Sequence, residues 1–163
     1  MEDVLALLIE VEDRMKQLYL SFSSLFSHLP EVRSFWERMA FHELRQANLL
    51  RAARKTVLKD ADLPRAMAIS PDRLQELSQK VSRSVTEAKE GVPLSRAFAM
   101  ALGLERQEAE LPWMMLTALG KATMEEALRD LHGPEHGHLL QLEEMMRRFS
   151  GSEDPGEPKG ERG

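Results

Sequence analysis

Four stretches of this chain carry apolar residues at three- and four-residue spacing, and an acid interrupts each stripe near its middle. The spacing indicates α-helices that bury one face. The interrupting acids are Glu12, Glu43, Glu105 and Glu135. Because the apolar faces must be covered, the helices have to pack against one another and bring the acids inside with them. The sequence therefore predicts an all-α fold built around an acidic centre.

Proline, glycine and capping residues predict where the helices begin and end. Pro30 ends one helix and suits the first turn of the next, and Gly91 follows the end of another. We expect four long helices over about Asp3–Phe26, Glu31–Val57, Pro93–Leu119 and Thr123–Phe149, with a loop at Lys59–Ile69 and a shorter helix between Pro71 and Gly91. This order predicts an antiparallel four-helix bundle with one long crossover that contains the short extra helix.

Composition limits the classes of function. The 163 residues suit one domain over residues 1–149, followed by a disordered tail over 150–163 that is rich in glycine, proline and charge. A formal charge of −5 favours neither nucleic acid nor a membrane as partner, and the absence of cysteine excludes thiolate sites. With no signal peptide or membrane span in the pattern, we expect a cytoplasmic protein, and a homodimer remains open.

The acids that interrupt the apolar stripes need a counter-charge. Four buried carboxylates would repel one another, and the stripes contain no Lys or Arg, which leaves protons or bound cations. His138 follows Glu135 by three residues, which is the bundle-core spacing of dinuclear carboxylate proteins. Gln46 and Glu108 follow Glu43 and Glu105 by the same interval and are further candidate ligands. By contrast, we expect His28 in a turn and His42, His132 and His136 on the surface.

Short motifs on all four helices resemble the rubrerythrin-type proteins of the ferritin-like superfamily. The segment Phe35–Ala47 is similar to that family's second-helix motif, with Gln46 in the place of a histidine. The pairs Glu12 with Tyr19, Glu105 with Glu108, and Glu135 with His138 resemble the other three motifs. The chain has no cysteines for the rubredoxin-like iron site of fuller members.

The resemblance implies a centre of two iron or manganese ions. Glu12 and Glu105 would cap the two ions, Glu43 and Glu135 would bridge them, and His138 would bind one. Tyr19, the single tyrosine, is a candidate redox residue. The implied activity is an oxidoreductase that acts on peroxide or dioxygen. Two alternatives stay open: a degenerate bundle with a structural or partner-binding role and an empty or single-metal site, and an iron-storage subunit.

Overall fold

The computed structural model describes residues 4–57, 71–108 and 138–149, and within these ranges the chain is helical with no strand. This confirms the all-α prediction. The five helices are α1 (Val4–Leu25), α2 (Pro30–Val57), α3 (Pro71–Glu90), α4 (Leu94–Glu108) and α5 (His138–Phe149). None of these described helices is long and apolar enough to cross a membrane.

Helices α1 and α2 form an antiparallel pair joined by a tight turn. The Leu29 carbonyl accepts a hydrogen bond of 2.9 Å from the Arg33 N–H, so α2 starts with Pro30 in its first turn, as predicted. Near the turn Ser23 contacts Glu37, and toward the far end Asp13 pairs with Arg51. Later residues of α1 therefore meet earlier residues of α2.

Helix α4 runs parallel to α2. Phe98 packs on Trp36 with 5.0 Å between the ring centroids, and the Glu108 carboxylate lies beside the Gln46 amide. Both contacts join residues that are 62 apart in the sequence. The two helices therefore run in the same direction, with the same residue offset at both contacts.

Helix α5 is antiparallel to both α2 and α4. Its first residue, His138, contacts Glu105 of α4 and His42 of α2, while Arg148 near its end pairs with Glu31 at the start of α2.

Helix α3 packs along α1 and buries Leu74, Leu77, Val81 and Val85, the face predicted from their spacing. It ends at Gly91, whose φ of +95° is a backbone conformation that glycine adopts without strain. One detail of the prediction was wrong: Pro93 precedes α4 instead of opening it. Its carbonyl accepts the first helical hydrogen bond, 3.0 Å from the Ala97 N–H, which makes Pro93 the N-cap.

Several predicted features lie outside the described residues. They are the loop at Lys59–Ile69, the continuation of the third long helix to Leu119, the start of the fourth at Thr123, the candidate ligand Glu135, the histidines His132 and His136, and the tail over 150–163.

Candidate metal centre

Three of the four acids predicted inside the fold are buried in the described residues. Glu12, Glu43 and Glu105 expose 5%, 1% and 7% of their surface. Each occupies a position of its helix that would otherwise hold an apolar side chain, so the helix packing itself carries the carboxylate inward. Their predicted burial is confirmed, and the fourth acid, Glu135, lies outside the described residues.

The carboxylates and one imidazole converge in two groups that share a single side chain. In the first group, ligand atoms of Glu43, Glu105 and His138 lie within 4.8 Å of one another. In the second group, the same holds for Glu12, Glu43 and Glu108. Glu43 has two carboxylate oxygens and belongs to both groups, which is the arrangement expected of a ligand between two adjacent ions.

With the neighbouring acids charged, the Glu43 carboxylate has no hydrogen-bond donor for either oxygen among the described residues. The basic neighbour of the clustered acids is His138, whose Nδ1 lies 3.8 Å from Glu105 Oε2. Burial, reinforced by the charges of Glu108 and Glu105, therefore raises the pKa of Glu43 well above its usual range. A buried carboxylate in this condition must be neutralised by a proton or a cation.

The charged forms of Glu12 and Glu108 are destabilised in the same way. Burial, followed by the charges of Glu108 and Glu43, raises the pKa of Glu12 well above its usual range. Burial and the charge of Glu105 raise the pKa of Glu108 to about 7. A protonated Glu12 can donate to Glu43 or Glu108, so these acids can share a proton.

The position of Glu108 was left open by the sequence, and the structure turns it inward. The residue is half-buried, but its Oε2 is closed off from solvent and has no hydrogen-bond partner among the described residues. Because it sits one helical turn beyond Glu105 on the same face of α4, it supplies the second group while Glu105 supplies the first.

Gln46, a predicted candidate ligand, also lies at the cluster, with its side-chain amide facing the Glu12 and Glu108 carboxylates. With its amide nitrogen turned toward the acids, it donates to Glu12 Oε2 at 3.0 Å and to Glu108 Oε1 at 3.2 Å. An NH₂ group has no lone pair to offer a cation. With the nitrogen toward the acids Gln46 positions two carboxylates, and with the oxygen toward them it could bind a cation beside them.

His42 was expected on the surface, and that expectation was wrong. It is half-buried, and its ring packs edge-on against His138 with 4.5 Å between the centroids. His42 lies one position before Glu43, just outside the stripe that faces the core, where α5 comes close enough to cover it. The nearness of a second helix is a tertiary feature that the spacing within α2 does not report.

Tyr19 closes the cluster on the side of α1. It is fully buried, and its hydroxyl donates a 2.6 Å hydrogen bond to Glu105 Oε1. Burial and the charge of Glu105 raise the pKa of Tyr19 well above its usual range, so the phenol stays protonated. The ring stacks on Trp36 at 5.6 Å, and the aromatic layer formed with Phe22, Phe35 and Phe98 separates the acids from the turn end of α1 and α2.

The donor set fits divalent cations on its own chemistry. Carboxylate oxygens and one imidazole nitrogen suit manganese and iron, and two divalent ions would balance four carboxylate charges. Comparisons with models of known families, with curated proteins and with solved structures find no match for this chain. The case for its function therefore depends on the geometry of the cluster.

Proposed function

We propose that this chain is a ferritin-like four-helix bundle that binds two iron or manganese ions in its core. In this proposal α1, α2, α4 and α5 form the bundle, and α3 belongs to the long crossover between its two halves. The directions of the four helices support this arrangement, since α1 and α5 each run opposite to α2, and α4 runs parallel to it.

The observation that carries the proposal is the shared Glu43 carboxylate, whose oxygens have no hydrogen-bond partner among the described residues. It would bridge the two ions, with Glu105 and His138 completing one position and Glu12 and Glu108 the other. Glu135, which lies outside the described residues, would be a further ligand by its sequence spacing from His138. Divalent ions would add positive charge in the middle of the acids, where His138 is the basic neighbour.

The bound ions would supply electron transfer with peroxide or dioxygen, which makes an oxidoreductase the favoured activity. The protein's own residues orient and protect the centre. Tyr19 fixes Glu105 through its hydroxyl, and Gln46 holds Glu12 and Glu108 from the opposite side. The buried aromatic layer around Trp36 excludes bulk water from one end of the site.

Metal analysis of two matched variants tests this function. Wild-type protein, purified without chelator and supplied anaerobically with ferrous iron or manganese, should bind two ions per chain. Glu43→Gln should lose both ions, because the substitution neutralises the shared ligand while keeping its size. Glu76→Gln, the same change on the exposed face of α3, should retain them.

A metal-free structural bundle is the competing function, and one observation favours it. Gln46 already gives hydrogen bonds to two of the acids, and protons could neutralise the others. A structural protein would show no bound metal in either the wild type or Glu43→Gln. Peroxide-dependent oxidation by the metal-loaded wild type, absent from Glu43→Gln, would support the oxidoreductase.

A further inference from the structure

We propose that the two positions of this centre bind different metals. The position formed by Glu43, Glu105 and His138, called the imidazole position, selects iron. The position formed by Glu12, Glu43 and Glu108, called the oxygen position, holds manganese. This inference rests on the dinuclear centre proposed above and adds the identity and placement of each ion.

The two positions differ in the kind of atom they offer. The imidazole position contains a ring nitrogen of His138, and a second imidazole, His42, packs against that ring at 4.5 Å. The oxygen position draws its ligand atoms from three carboxylates. Imidazole nitrogen favours iron over manganese, whereas carboxylate oxygen suits manganese and other hard ions.

Gln46 adds no nitrogen ligand to the oxygen position. Its amide nitrogen donates to Glu12 and Glu108, so it orients these two acids. If the amide turned over on binding of an ion, it would present its oxygen, and the donor atoms from the described residues would still all be oxygen. In either orientation Gln46 preserves the difference between the two positions.

The burial of Glu43 makes the cluster more than a group of acids on a surface. Its side chain is 1% exposed, both of its oxygens lack a donor among the described residues, and it is aimed into both groups. A ligand shared in this way keeps the ions adjacent, so an ion at one position is detectable by its effect on the other.

Divalent iron binds nitrogen and oxygen sites more tightly than manganese does, and the difference between the positions decides the outcome. The nitrogen ligand widens the advantage of iron at the imidazole position, so iron fills that position first. Manganese then enters the oxygen position, where iron has the smaller advantage. The expected product is a chain with one ion of each kind.

Competitive loading of the full-length chain tests the proposal. Metal-free protein receives one equivalent each of ferrous iron and manganese under anaerobic conditions. Metal analysis should give one of each per chain, EPR should show manganese coupled to iron, and anomalous diffraction at the two absorption edges should place iron beside His138. Two ions distributed at random over both positions would overturn the inference, whereas a chain that binds no metal would contradict the proposed function instead.

A matched pair of substitutions at Gln46 gives the inference a second test. Gln46→His adds a nitrogen beside the oxygen position and should shift it toward iron, giving chains with two irons from the same mixture. Gln46→Glu adds only oxygen and should keep manganese there. His138→Gln should lower the affinity of the imidazole position for iron by at least about tenfold, since even the partners that orient a ligand contribute that much to affinity. Equal metal ratios in the two Gln46 variants would overturn the proposal.

Discussion

The pH dependence of stability should show how much the charged Glu108 carboxylate destabilises the metal-free protein. Its folded-state pKa is raised from 4.5 to about 7 by burial and the charge of Glu105. The native state therefore binds more protons than the unfolded state between these values, and the free energy of unfolding falls as pH rises through this window. At about 1.4 kcal/mol per pH unit, the full loss is about 3 kcal/mol above pH 8.

Glu108→Gln should remove this loss, because the amide has similar size and carries no charge. In the presence of chelator, the variant should exceed the wild type in stability by less than about 1 kcal/mol at pH 5 and by about 3 kcal/mol at pH 8.5. Urea denaturation followed by circular dichroism at several pH values measures this difference, which the change in midpoint reports as long as the slope is unchanged.

Glu76→Gln, on the exposed face of α3, is the control and should follow the wild type at every pH. Wild-type and Glu108→Gln profiles that run parallel from pH 5 to 8.5 would refute the claim that Glu108 is a buried acid without a cation. Adding manganese should reverse the order of stability, because the wild type gains binding free energy that the variant lacks.

Three further predictions follow from the same contacts. Tyr19 is the single tyrosine, so ultraviolet titration of the folded protein should show no tyrosinate until the chain unfolds at high pH; ionisation near pH 10 would contradict its burial. Metal binding at pH 6 should release at least about one proton per chain, measured by pH-stat, because Glu12 and Glu108 must lose protons to bind cations. Gly91→Ala should lower thermal stability by about 1 kcal/mol, since alanine is strained at a φ of +95°, and an unchanged melting temperature would contradict this.

Within the described residues, the sequence predicted the helical segments and the burial of Glu12, Glu43 and Glu105 because both follow from local spacing. A stripe with period 3.6 shows which side of a helix is covered, and an acid inside that stripe is carried inward with its neighbours. The helix ends at Pro30 and Gly91 were also predictable, because each depends on the backbone preference of the residue at that end.

His42 and Gln46 show what local spacing leaves out. His42 lies beside the core-facing stripe, and only the approach of α5 buries it against His138. Gln46 was correctly placed at the cluster, but the choice between its oxygen and its nitrogen depends on the carboxylates of Glu12 and Glu108, which come from two other helices. Distances between helices, and the orientation of a side chain among charges, are tertiary properties.

The energetics of the cluster favour a role in binding over a role in stability. Apolar side chains at Glu12, Glu43 and Glu105 would continue the stripes above and below them, and such replacements of buried charges are often neutral or stabilising. The chain instead holds three buried carboxylates whose neighbours are mostly other acids, with the Glu43 oxygens left without a donor among the described residues. Destabilising buried charges at one place, beside closely packed aromatic rings, are the features expected of a site that binds a cationic ligand.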